Sequence, residues 1–167
     1  MDARKDNELS PTKNRTAVDK KSEREMVVTR TFDAPARLVF EAWTKPELFK
    51  RWWLPKSLGM SLLSYEADIR TGGSYRLEIG IPGSGSMAFF GKYLEVIPHS
   101  RVVWTNEEGE DGAVTTVTFE EKGGKTLLVL HDLYRSKEAM ERAGGSENGL
   151  PEQFAQLDEL LLDLGGV

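Results

Sequence analysis

From Met60 to Asp132 apolar and polar residues alternate with a period of two, and glycine-bearing turns interrupt the alternation at short intervals. This feature constrains the fold most. A period of two sends successive side chains to opposite faces of a strand, and a short turn returns each strand beside its predecessor. Tyr75, Leu77 and Ile79 alternate with Arg76 and Glu78 just after Thr71-Gly72-Gly73-Ser74. Met87 to Ile97 reads as a longer strand, with Phe89-Phe90-Gly91 marking a bulge. Arg101-Val102-Val103-Trp104-Thr105 follows, and the acidic stretch from Asn106 to Gly112 reads as a solvated hairpin loop. Val117 and Phe119 then alternate with Thr116, Thr118 and Glu120, and Lys122-Gly123-Gly124-Lys125 turns again. Thr126 to His131 is apolar nearly throughout, as a strand buried on both faces would be. The whole stretch predicts an antiparallel meander of about six strands.

Helical periodicity flanks the meander. Met26 to Phe32 is β-branched and compact, a first strand. Asp33 then offers a side-chain cap, Pro35 suits a first helical turn, and Leu38, Val39, Ala42 and Trp43 recur at helical spacing. Thr44-Lys45-Pro46-Glu47 has the form of a capping box and opens a second helix, where Leu48 pairs with Trp52 and Phe49 with Trp53. After the meander come a short helix, Lys137 to Arg142, and a glycine-rich loop. A final helix starts near Pro151 and carries Phe154, Leu157, Leu161 and Leu164 in one stripe. A curled sheet needs an apolar partner on its concave face, and that stripe is the long helical candidate. The expected fold is α+β: a curved antiparallel sheet wrapped around a long C-terminal helix, with two short helices after the first strand.

Bulk properties narrow the function. The 167 residues suit one domain, and the absence of cysteine excludes disulfides, thiolate metal sites and cysteine nucleophiles. Residues 1–24 hold little to bury beyond Leu9 and Val18 and are expected to be a disordered tail, with the folded domain spanning 25–167. That domain carries a net charge of -7, which disfavours nucleic acid. No apolar run approaches the roughly 18 residues of a membrane span, and the polar start lacks the pattern of a signal peptide, so the expected location is cytoplasmic.

At Phe40-Glu41-Ala42-Trp43-Thr44-Lys45-Pro46-Glu47, followed by Trp52-Trp53-Leu54-Pro55, the chain resembles the Aha-type branch of the START-like SRPBCC helix-grip superfamily. That branch comprises homologues of the C-terminal domain of an activator of the heat-shock chaperone ATPase. The resemblance continues through Asp68-Ile69-Arg70-Thr71-Gly72-Gly73, Gly91-Lys92-Tyr93-Leu94-Glu95-Val96 and Arg101 to Thr105, covering residues 25–164. It departs at Gly149-Leu150, where the family commonly has Gly-Trp, which changes the volume at one end of the last helix. The resemblance implies a cavity between sheet and C-terminal helix that binds hydrophobic or aromatic small molecules, with cyclisation or hydrolysis catalysed by some members. Chaperone-activating relatives carry a separate chaperone-binding domain ahead of this one, which a 24-residue tail is too short to be.

The expected ligand-pocket residues are Trp43, Trp53, Tyr75, Leu77, Trp104, Phe119, Phe154, Leu157 and Leu161. No cofactor is expected, and no metal, because His99 and His131 lack a third nitrogen or sulfur ligand. The weak catalytic candidates are His131 and Glu95 as proton shuttles. Adjacent strand residues face opposite ways, so at most one of His131 and Asp132 enters the cavity. Arg70 at the mouth and Arg76 are further polar candidates, Arg76 with a surface placement. The leading expectation is a non-catalytic binder of a hydrophobic, aromatic small molecule. A cyclase- or hydrolase-like enzyme is the second reading, and an interaction protein, co-chaperone-like or a homodimer through an open sheet edge, is the third.

Overall fold

A computed structural model describes residues 16–107, 112–143 and 149–165. Among the described residues eight strands form a single antiparallel sheet: β1 (Ala17–Lys20), β2 (Glu25–Phe32), β3 (Ser61–Ala67), β4 (Ser74–Ile81), β5 (Gly85–Ile97), β6 (Arg101–Thr105), β7 (Val114–Lys122) and β8 (Lys125–Leu133). Their spatial order is β1-β2-β8-β7-β6-β5-β4-β3, so the meander from β3 to β8 closes onto β2. The helices are α1 (Ala36–Thr44), α2 (Pro46–Phe49), α3 (Lys137–Arg142) and α4 (Leu150–Asp163), with a 3-10 turn at Lys56–Leu58. This is the expected α+β helix-grip fold.

The edge strand β1 falls inside the segment expected to be a disordered tail, and residues 1–15 lie outside the described residues. All four of its side chains are exposed, so apolar content gave no signal for it. Its tie is the backbone: Ala17 pairs with Thr29 and Lys20 with Met26 in an antiparallel ladder. β8 also departs from expectation. Thr126, Leu128 and Leu130 are buried while Leu127 is exposed, so the strand is buried on one face only.

Local chemistry at the helix starts differs too. The N-cap of α1 is Pro35, and Glu121 rather than Asp33 caps it, accepting from the Ala36 N–H at 2.9 Å. Thr44 does not cap α2; its hydroxyl donates back to the Phe40 carbonyl at 2.9 Å. α2 lasts a single turn, and Trp52 and Trp53 lie beyond it in a segment that α4 holds from above. There the Gln156 amide donates to the carbonyls of Trp52 and Leu54, both at 2.9 Å, and its oxygen accepts from the Lys56 N–H at 2.9 Å. Glu152 takes the Ser57 N–H and hydroxyl at 2.9 and 2.6 Å.

Phe154, Leu157 and Leu161 of the expected stripe are buried against the inner face of the sheet, Leu160 joins them, and Leu164 is only partly buried. One charged pair joins them. The Arg30 side chain, 7% exposed on the inner face of β2, donates to Asp158 of α4 and to the Thr16 hydroxyl. Burial raises the Asp158 carboxyl above its ordinary value of 3.8, and Arg30 pulls the other way. A carboxyl raised on folding stabilises most below its unfolded value, and the contribution is lost as pH rises through the folded one. The advantage of wild type over Asp158→Asn is therefore expected to shrink from pH 3.5 to pH 7, read from urea midpoints; a constant difference would contradict it.

Candidate functional site

The sheet register lines up inward-facing side chains in rows across the strands. The row nearest one end runs Met26, Asp132, Thr115, Trp104 and Tyr93, from β2 through β8, β7 and β6 to β5. The next row is Val28, Leu130, Val117 and Val102. Beyond it, Leu128 and Phe119 lie under α4 and α1. On the other wing, Tyr65 of β3, Leu77 of β4 and Phe89 of β5 stand opposite one another.

Between these rows and the chain passing over them is a cavity of about 550 Å³. Its roof comes from α1, α2, the Trp53 segment and the first turn of α4, through Trp43, Thr44, Phe49, Trp53, Leu150 and Gln153. Aromatic packing sets one end: Phe49 stacks on Trp53 at 5.4 Å, Tyr65 lies 5.1 Å from Phe49, and Phe89 meets Trp53 edge-on at 5.9 Å. The Gln153 amide donates to the Trp53 carbonyl and holds that roof to α4. Trp43 packs against Trp52 at 4.9 Å and Trp104 at 6.0 Å, and its buried indole N–H has no partner among the described residues.

The opposite wall is polar and internally connected. The Tyr75 hydroxyl donates to the Thr105 carbonyl at 2.8 Å and lies 3.4 Å from Asn106 Oδ1. The Asn106 amide donates to the Ala113 carbonyl at 2.7 Å and to the Thr115 hydroxyl at 3.0 Å. Thr115, itself 5% exposed, donates to Asp132 Oδ1 at 2.5 Å. The hydroxyls of Tyr65 and Tyr93 share a hydrogen bond, and burial raises both above the ordinary phenol value, so they remain neutral. Among the described residues lining the cavity, Asp132 is the one charged side chain.

Of the expected pocket residues, Trp43, Trp53, Tyr75, Leu77 and Trp104 come together in this lining. Phe119, Phe154, Leu157 and Leu161 do not; they fill the core between sheet and α4. The cavity thus sits under the first turn of α4 rather than along the helix. The catalytic candidates lie on the other face. The His131 imidazole, half-buried, is 2.9 Å from Glu25, and Glu95, half-exposed at the bulge of β5, pairs with Arg101 at 2.8 Å. Arg70 pairs with Asp68 at 2.9 Å, and Arg76 is exposed as expected of it. Asn106, Thr115 and Gln153 were missed. Alternation allowed at most one of His131 and Asp132 inside, and the register selects Asp132.

Residues 33–162 match the family model described as "Activator of Hsp90 ATPase homolog 1-like protein". The chain belongs to this family. An NMR structure of a Staphylococcus epidermidis protein is 30% identical, with 88% of this chain and 94% of that one covered, at a TM-score of 0.74. A crystal structure from Rhodobacter sphaeroides reaches a TM-score of 0.82 at 20% identity, covering 90% and 99%. One from Nitrosomonas europaea reaches 0.77 at 22%, covering 89% and 100%. At those lower identities the likeness concerns the fold alone. No curated protein is similar enough to match. Among the described residues of this family member, no helix is long and apolar enough to cross a membrane. Leu150, where the resemblance predicted a departure from the family's tryptophan, is itself part of the cavity roof.

Proposed function

We propose that the protein binds a hydrophobic, aromatic small molecule in the cavity beneath the first turn of α4 and acts without catalysis. The observation that carries this reading is the cavity of about 550 Å³ itself, walled by Trp43, Trp53, Phe89 and Trp104. Protein interiors pack to crystal-like density, so open space of this size among well-placed aromatics is a feature of the fold rather than slack. The Trp43 N–H in the same wall, without a partner among the described residues, supports it, since a wall arranged for stability alone satisfies its buried donors. His131 and Glu95, the proton shuttles of an enzymatic reading, point away from the cavity.

The test uses a neutral bicyclic probe, 2-naphthol, against wild type and Leu77→Trp. Leu77 is 4% exposed on the inner face of β4, and an indole there occupies the cavity. A ligand held at a hundredfold excess over its Kd stabilises by about 2.7 kcal/mol, several degrees in Tm for a domain of this size. Wild type is expected to show such a shift, and a folded Leu77→Trp none. Equal shifts in both proteins, or none in wild type with 2-naphthol and a wider panel of neutral aromatics, would overturn the reading.

A further inference from the structure

Several polar groups of the cavity lining give their hydrogens to the protein, and one tyrosine pair keeps a hydrogen back. Tyr75 donates to the Thr105 carbonyl, and the Asn106 amide donates to Ala113 and Thr115. Thr115 donates to Asp132, and Thr44 to the Phe40 carbonyl. Tyr65 of β3 and Tyr93 of β5 stand on either side of β4, and both line the cavity. Tyr93 is 7% exposed and Tyr65 is half-buried. Their hydroxyls share one hydrogen bond, and neither has another hydrogen-bond partner among the described residues. Two phenols carry two hydrogens, and one bond between them uses one. The phenol that accepts keeps its own hydrogen and is the stronger donor for having accepted. Buried donors in native proteins are paired as a rule, so a hydrogen left over in a cavity wall points to a ligand that takes it. Burial raises both phenols above the ordinary value, so that hydrogen stays in place at neutral pH, and the same surroundings disfavour a charged ligand group. Aromatic surface adjoins both phenols: Tyr93 is opposite Trp104, and Tyr65 lies 5.1 Å from Phe49, which stacks on Trp53.

We infer that the cavity takes aromatic ketones and related neutral carbonyl compounds: the carbonyl oxygen accepts the spare hydrogen of the Tyr65–Tyr93 pair while the ring system lies against Trp53, Phe89 and Trp104. This rests on the cavity-binding reading and adds the polar group to it. A carbonyl oxygen accepts without bringing a hydrogen of its own, so with it bound both phenol hydrogens have acceptors and none is added.

The test compares two probes of one shape, 2-acetonaphthone and 2-isopropylnaphthalene, by equilibrium dialysis against wild type and Tyr65→Phe/Tyr93→Phe. The double substitution removes both partners of a hydrogen bond at once and keeps the rings, so it strands no polar group and is expected to fold. In the variant the ratio of ketone to hydrocarbon affinity is expected to fall about three- to tenfold, as the loss of one neutral hydrogen bond allows. Hydrocarbon affinity is expected to persist, which shows that the variant's cavity is intact. An equal ratio in the two proteins means that the pair does not meet the ketone, whether another donor such as the Trp43 N–H does or none; the carbonyl inference then fails and the cavity reading stands. If neither probe binds wild type and 2-naphthol does not either, both fail. Should the variant not fold, wild type alone decides: the carbonyl stretch of bound 2-acetonaphthone is expected below its frequency in heptane, and a stretch at the heptane value overturns the proposal.

Discussion

Truncating Phe154 to alanine is expected to remove about 3–5 kcal/mol of stability, a large share of what a domain of this size has. The ring is fully buried and meets Phe32 of β2 edge-on at 5.4 Å, with Trp52 at 6.3 Å and Trp43 at 6.4 Å. It is the point where α4, β2 and the Trp52 segment lock together. Those partners are also held by other contacts, including the Gln156 amide on the Trp52 carbonyl and the Trp52 indole N–H on the Ala42 carbonyl at 2.9 Å. The surroundings therefore have little freedom to collapse into the void, which puts the cost toward the upper part of the range. The urea midpoint should fall with an unchanged slope, while the 2-naphthol affinity of the folded fraction stays close to wild type. Lost affinity with nearly intact stability would instead make Phe154 a wall of the ligand site.

That contrast shows how far the sequence could be read. The alternation around Tyr75, Leu77 and Ile79, and the stripe of α4, follow from periodicity, and both elements form where periodicity puts them. Whether an apolar residue fills a core or faces an open cavity leaves no trace in periodicity. Phe154, Leu157 and Leu161 carry the same signal as Trp43 or Leu77, and what separates them is where the roof presses down. The roof is held by Gln153, Gln156 and Glu152, polar residues of α4 whose partners are backbone groups about a hundred positions away. No spacing rule announces such a contact. Asp132 was closer to legible. Parity with Leu128 and Leu130 points it inward, but Leu127 and Val129 on the outer face make the strand look apolar on both sides and hide the parity. β1 was hidden for the opposite reason, since a strand held by backbone hydrogen bonds with four exposed side chains has no pattern to find.

Gly91→Ala is expected to cost about 3 kcal/mol or more, and the reason ties the backbone to the site. A Cβ on Gly91 would stand 2.0 Å from the Thr105 carbonyl oxygen, a backbone atom that a side-chain rotation cannot move. The approach is this close because β5 runs past β6 here: the Lys92 N–H donates to the Thr105 hydroxyl at 2.9 Å and the Glu107 N–H to the Phe90 carbonyl at 2.8 Å. To admit a methyl group the two strands must separate, and both bonds lengthen with them. The same Thr105 carbonyl accepts from the Tyr75 hydroxyl, and Tyr75 sits opposite Gly91 on β4. Displacing Thr105 therefore moves Tyr75 and Asn106, the start of the hydrogen-bond series that ends at Asp132. The variant should lose both stability and 2-naphthol affinity, whereas Phe154→Ala should lose stability alone. Denaturation midpoints together with 2-naphthol affinities separate the two, and an unchanged affinity in Gly91→Ala would mean that the polar wall is held by the β7 and β8 residues without help from Thr105.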